Sequence, residues 1–319
     1  MKKVVMYWSN ICVLHKFERD HIETIRQELL SLGIDLQTEY FGLGYPTRMS
    51  EAMLDPSKPL PDIIISTDLE VFENRELYES YSRDLYEIGT WFPTKKKENY
   101  RSLYGDPHLL PFIAIPMMLY SRDSSWHDTS LEDLVNSRIA FGGINNSAAK
   151  CIFKYLWAQF GKKTASDFLE RCDLYDMPIQ GMHAVKTGSA EASLVPSIYA
   201  LRADMIHEFA YPLSDGCIVL PSFAAVRNSI DEETARTILF RLLSPSFCNF
   251  FVSNGDLISC IEGTSECHSG AIADAQYLYP NEDWFRRVRP AEFYESYCRI
   301  LPTAVDYSKA PRNHPRAEE

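Results

Sequence analysis

The stretch LLPFIAIPMMLYSRD, Leu109 to Asp123, contains the most apolar run of the chain, from Leu109 to Tyr120. It is too short to cross a bilayer, and it is interrupted by Pro111 and Pro116. The run reads as buried strand. Proline has no N–H to give to a ladder, so two prolines within such a run predict a bent strand that leaves one sheet and enters another. A strand passing from one lobe into a second, with a later strand returning, makes a two-lobed body that closes on a ligand. From the run alone, an ordinary core strand with a proline at each end stays open.

The chain has 319 residues, enough for two lobes of common size, and its 45% hydrophobic content is that of a globular protein with a sizeable core. Its formal net charge is -12, and Lys95-Lys96-Lys97 is its longest basic run. Nucleic acid is therefore excluded as a partner, because duplex binding draws on phosphate neutralisation by basic groups. The acidity itself argues only for solubility.

The N-terminal MKK followed by VVMYWSNICVLH has the outline of an export signal. Trp8, Ser9 and Asn10 interrupt it and no small-residue cleavage site follows, so a first strand is the better reading. The expected location is cytoplasmic, with a periplasmic or extracellular one as the alternative if a leader was removed. The eight cysteines show no tight paired spacing and read as reduced thiols. Cys12 with His15, and Cys267 with His268, complete no four-ligand set, so no metal and no cofactor are expected.

In chain order, Lys3 to Tyr7 reads as a strand, Glu18 to Leu32 as a helix stopped by Gly33, and Asp35 to Phe41 as a second strand. Thr47 to Leu54 reads as a short helix, and Ile63-Ile64-Ile65 as a third strand ending in Ser66-Thr67-Asp68. Strand, helix, strand, helix, strand predicts a parallel α/β sheet, whose ligands gather at the carboxyl ends of strands. Trp8-Ser9-Asn10 and Ser66-Thr67-Asp68 stand at those ends. The segment after Asp68 reads as helix with a solvated charged face, its Tyr78, Tyr81 and Tyr86 serving packing.

Beyond the proline-broken strand, Arg138 to Phe141 reads as strand. Gly142-Gly143-Ile144-Asn145-Asn146-Ser147 then turns directly into a helix from Ala148 to Phe160. Two glycines permit close backbone approach, and Asn145, Asn146 or Ser147 can cap the helix while free N–H groups face an anion. The pattern lacks the Gly-Lys-Ser/Thr ending of a phosphate loop and the third glycine of a dinucleotide fingerprint. A capped helix with nothing bound fits almost as well. Another helix start at Gln180 to His183 makes His183 a further candidate.

The next segments carry a specific resemblance. Lys186 to Ser197 gives a helix ending in glycine, a short apolar strand and Pro196-Ser197 at its end, and Ile198 to Ala210 reads as helix. Gly216 to Ser222 reads as a return strand. Asp231 to Leu243 is followed by Ser244-Pro245 and a second short helix ending at Asn254-Gly255. This order resembles the type 2 periplasmic binding proteins, the solute-binding components of ABC transporters, including the branch that binds ferric iron, oxyanions and small organic anions. The resemblance runs over about residues 1 to 262 and implies two mostly parallel sheets flanked by helices and joined by two crossover strands. The implied division is 1–115 with 222–263 as lobe 1 and 116–221 as lobe 2. Residues 264–302 then form a helical appendage and 303–319 a loose tail.

The resemblance implies a monomeric receptor without catalysis, which traps a small, anionic solute for an ABC permease or a sensor. Ser9, Asn10, Ser66 and Thr67 would hold one side, with Trp8 and Asp68 beside them. Asn145, Asn146, Ser147, Pro196, Ser197 and Tyr199 would hold the other, with charge from His183 or Arg202. Tyr199 has no tyrosine neighbour, which departs from the adjacent pair that holds iron in that branch. A cytoplasmic biosynthetic enzyme on the same scaffold is the alternative, although the sequence offers no nucleophile with a neighbouring base.

Overall fold

The structure is a computed structural model that describes residues 1–306 apart from Leu43, Lys96 and Val305. Most of the tail expected over 303–319 lies outside the described residues. The strands are β1 (Lys2–Asn10), β2 (Ile34–Gly42), β3 (Ile63–Ser66), β4 (Leu110–Ser121), β5 (Ala140–Gly142), β6 (Asp173–Tyr175), β7 (Ala192–Pro196), β8 (Phe209–Tyr211), β9 (Cys217–Val226), β10 (Ile258–Ser259) and β11 (Tyr277–Leu278). The first half of the chain carries helices α1 (His15–Ser31), α2 (Met49–Leu54), α3 (Glu70–Glu73), α4 (Arg75–Tyr81), α5 (Leu131–Asn136), α6 (Ser147–Phe160) and α7 (Lys162–Arg171). The second half carries α8 (Pro178–Lys186), α9 (Ser197–Ala200), α10 (Glu232–Leu242), α11 (Pro245–Gly255), α12 (Gly270–Asp274), α13 (Glu282–Arg287) and α14 (Pro290–Ile300).

Strand β4 belongs to two sheets. Leu110 to Pro116 pair antiparallel with β9, whereas Met117 to Ser121 pair with β7. The register shifts between Pro111 and Ile113, so the first proline sits beside a bulge. Pro116 is the last residue paired to β9, and Met117 is the first paired to β7. Both prolines therefore stand where the ladder is already interrupted or changing partner. Every residue of β4 and of β9 is buried, which explains why β4 reads as one continuous apolar run.

One sheet holds β2, β1 and β3 in parallel, followed by antiparallel β9, then β4 and β10. The other holds β6, β5 and β7 in parallel, followed by antiparallel β4 and then β8. Strand β9 starts beside the second sheet, where Ser214 donates to the Thr129 carbonyl and the Asp215 carboxylate accepts from the Leu131 N–H. It ends paired with β3 in the first. Two strands thus pass between two α/β lobes. No helix among the described residues is long and apolar enough to cross a membrane.

Two of the expected helices change. The helix expected after Asp68 is broken, because the Asn74 side chain accepts from the Leu77 N–H and starts a new helix there. Its charged face is not all solvated, since Glu70 is only 3% exposed. The helix expected from Ile198 to Ala210 stops at Ala200: the Asp204 carboxylate gathers the N–H groups of Ile206, His207 and Glu208, and Phe209 to Tyr211 becomes β8. The segment 264–302 is tied into the body on several sides. β11 pairs with β9, the Trp284 ring meets Trp157, and Phe293 packs on Phe153.

The lobes also meet through buried charge. Lys150 and Lys154, on successive inward turns of α6, approach Glu70 at 3.1 and 3.9 Å, and Lys154 also pairs with Glu73. The hydroxyl of Tyr294 donates to Glu70, and that of Tyr279 donates to Glu73. Burial disfavours a charged Glu70, but Lys150, Lys154 and Arg48 outweigh it and hold its carboxyl well below the usual range. Burial, with the repulsion of Arg48, brings the Lys150 ammonium down to about 8. Removing one partner of such a buried pair strands the other. Lys154→Met is predicted to lower unfolding free energy by about 3–5 kcal/mol, measured by urea denaturation. A loss under ~1 kcal/mol would show that the pairs contribute as exposed ones do.

Candidate functional site

Between the two sheets lies a cavity of about 290 Å³. Its floor comes from the crossing strands, Ile115 of β4 and Leu220 of β9. One wall is made by loops that leave the carboxyl ends of parallel strands: Ser9 and Asn10 from β1, Tyr45 and Arg48 after β2, Thr67 and Asp68 after β3. The opposite wall is the turn Asn145-Asn146 with Ser147 and Ala148 at the start of α6, joined by Pro196 at the end of β7 and Tyr199 of α9.

The polar contacts within this wall are specific. The hydroxyls of Ser9 and Thr67 lie 3.3 Å apart, and the Asn10 amide nitrogen donates to the Tyr45 hydroxyl at 3.3 Å. The Asn10 amide oxygen is buried and has no hydrogen-bond partner among the described residues. Asp68 accepts from both the N–H and the hydroxyl of Ser50. Arg48 lies 3.7 Å from Asp68 and 3.6 Å from Glu70, and it donates across the cleft to the Asn145 carbonyl at 3.5 Å. Burial raises the Asp68 carboxyl, and the Arg48 guanidinium works against that rise. Arg48 thus touches the cavity, the acidic cluster and the opposite lobe.

Of the residues expected from the sequence, Ser9, Asn10, Thr67, Asp68, Asn145, Asn146, Ser147, Pro196 and Tyr199 line this cavity. The others face elsewhere. Trp8 packs on Phe112 and Phe247 while its indole N–H donates to Glu18. Ser66 is fully buried and its hydroxyl accepts from the Asp68 N–H, fixing the strand end without reaching the cavity. The Ser197 hydroxyl donates to the Gly255 carbonyl. His183 is exposed in the middle of α8, which begins at Pro178, and it does not line this cavity.

The two glycines have a different use from the expected one. A Cβ on Gly142 would lie 2.5 Å from the Met177 carbonyl oxygen, and one on Gly143 would lie 2.9 Å from the Pro178 ring. Close approach is needed by the start of α8, so the glycines serve packing. Arg48, Tyr45, Ile115 and Leu220 went unread in the sequence. Arg48 looked like an interior residue of a helix from Thr47, whereas it is the residue before α2. Its signal was position: the loop follows the carboxyl end of β2, as the Ser9 and Thr67 loops follow β1 and β3.

No protein-family model and no curated protein matches the chain. Solved structures do. Iron-bound HitA from Pseudomonas aeruginosa superposes at a TM-score of 0.64 with 14% identity, covering 96% of this chain and 100% of that one. A Trichodesmium protein, IdiA or FutA, in complex with iron and citrate reaches a TM-score of 0.66 at 14% identity, covering 93% of this chain and 99% of its own. The substrate-binding protein of an ABC transporter from Agrobacterium tumefaciens reaches 0.60 at 12% identity, covering 97% and 96%. At such identities the likeness is one of fold: the chain has the two-lobed type 2 periplasmic-binding-protein fold, and these similar structures are binding proteins.

Behind the β1 loop, Glu18 accepts from the Ile11 N–H at 2.9 Å and from the Trp8 indole, and burial pushes its carboxyl up to about 8. The folded chain therefore keeps a proton that the unfolded chain releases near 4.5, and stability falls as pH rises through that window. Glu18→Gln is predicted to flatten this dependence, while its single amide oxygen can accept only one of the two N–H bonds that Glu18 accepts. Urea midpoints of both proteins at about pH 5 and pH 8 check it, and parallel pH slopes would contradict it.

Proposed function

We propose that this protein is a solute-binding protein whose two lobes close on a small anion carrying a carboxylate, and that it delivers the bound state to an ABC permease or to a sensor. Residues 1–115 with 222–263 form one jaw and 116–221 the other. The observation that carries the ligand class is Arg48, a guanidinium in the cavity wall opposite the first turn of α6. Both favour negative charge, the first by paired N–H donors and the second by the backbone N–H groups and dipole of a helix start. The Asn10 amide adds a demand. Its buried oxygen has no partner among the described residues, so a solute with its own N–H or O–H, such as a hydroxy or amino acid, satisfies it. A cavity of about 290 Å³ suits a compact molecule.

A second reading has its own support. Tyr45 and Tyr199 both line the cavity with Asp68, and the similar HitA structure is described as iron-bound. Tyrosine and carboxylate oxygens suit a hard cation, alone or as a chelate with an organic acid. For the sensor route, another similar structure is described as a two-component system protein in signal transduction.

The two readings separate in one screen. Hydroxy and amino carboxylates are added without metal, and ferric citrate is added in parallel, with melting temperature and visible absorption recorded. The carboxylate reading predicts a metal-independent rise in melting temperature that Arg48→Gln and Asn10→Ala each weaken by about tenfold in affinity. A tyrosinate-to-iron absorption band with ferric citrate, and no response to carboxylates alone, would overturn it in favour of iron.

A further inference from the structure

A second cavity, of about 470 Å³, shares no lining residue with the first. One wall belongs to lobe 1, through Phe72 of α3 and Phe223 of β9. The facing wall belongs to the C-terminal segment, through Tyr279 and Phe285. These four rings form a continuous aromatic surface: Phe72 meets Phe223 at 5.7 Å, Phe223 meets Tyr279 at 6.4 Å, and Tyr279 meets Phe285 at 5.7 Å between centroids.

The charges around this surface are sorted. The acidic groups of the lining are engaged within the protein, Glu73 by Lys154 and Tyr279, and Asp106 by the Tyr78 hydroxyl at 2.5 Å and the His108 N–H at 2.9 Å. The basic groups stand at the solvent edge. Arg286 and Arg289 are exposed there beside Arg75, the first lying 3.7 Å from Asp283 and Arg75 pairing with Glu79 on the surface. In a chain of net charge -12 this is a local basic rim around an apolar interior. Such a site complements a molecule with a flat apolar body and one anionic group. Its volume is that of a small-ligand site.

The two walls come from differently anchored parts. Lobe 1 supplies Phe72, whereas the segment bearing Tyr279 and Phe285 is packed through Trp284 and Phe293 on α6 of lobe 2. Glu73 lines this cavity and pairs with Lys154, which also approaches Glu70, and Glu70 lies beside Arg48 of the cleft. We propose that this cavity is a second ligand site, separate from the cleft, for an aromatic carboxylate. The ring lies among Phe72, Phe223, Tyr279 and Phe285, and the carboxylate faces Arg286 and Arg289. An occupant there also sits at the other end of the charge chain that reaches the cleft.

The test uses naphthoate as the probe and the full chain, by titration calorimetry. Saturable one-site binding is expected. Arg286→Gln with Arg289→Gln should weaken it at least about tenfold, and Phe285→Ala likewise, while Asn10→Ala in the cleft leaves it unchanged. Both arginines are exposed, and unchanged circular dichroism will show that the double variant folds. Absence of saturable binding, undiminished affinity in the double arginine variant, or loss of binding in Asn10→Ala would each overturn the proposal. These outcomes are independent of whether the cleft takes a carboxylate or iron.

Discussion

Two extended segments have to pass from one sheet into another, and every other feature of this molecule is placed by that requirement. A strand can change sheets only where its ladder is released from one neighbour and taken up by the next. In β4 that point is the Pro116–Met117 step, on the far side of a bulge at Pro111. A residue without an N–H costs nothing where no neighbour waits for one. Because β4 and β9 are buried along their whole length, the crossing is held by packing on both faces. The same two strands provide the floor of the cleft, so the cavity lies directly against the elements that join the lobes.

The buried charges add a directional contact to this crossing. Apolar surfaces can slide over one another with little change in area, whereas an ion pair in a low-dielectric interior is sensitive to displacement and orientation. Glu70 and Glu73 come from lobe 1, Lys150 and Lys154 from α6, and Tyr279 and Tyr294 from the C-terminal segment, so three parts of the chain are located by one cluster. Desolvating these groups is costly, and a hydrophobic junction of the same volume could be as stable. What the cluster supplies is a defined docked arrangement, with Arg48 carrying it to the wall of the cleft.

Much of this was legible in the sequence because it depends on local pattern. The proline-broken apolar run, the alternation of strands and helices, and the polar residues just past strand ends are all short-range signals. Ser9, Asn10, Thr67, Asp68 and Asn145 to Ser147 were found in this way. The errors share a cause. Trp8 and Ser66 sit beside true cavity residues, but their side chains are claimed by Phe247 and by the Asp68 backbone, and adjacency in sequence does not report that. Glu70 read as a surface charge because its partners lie about eighty residues away on α6. The glycines at 142 and 143 read as room for a ligand, although the space is filled by the start of α8. Local pattern shows which residues reach a strand end; distant packing decides what they face.

The claim that both lobes grip one solute can be tested by amide hydrogen exchange, with and without the carboxylate that gives the largest rise in melting temperature. The account predicts that Ser9 to Ile11 in one lobe and Asn145 to Ala149 in the other gain protection together, over the same concentration range. Protection confined to one of these segments, or absent from both while the ligand is bound, would contradict it.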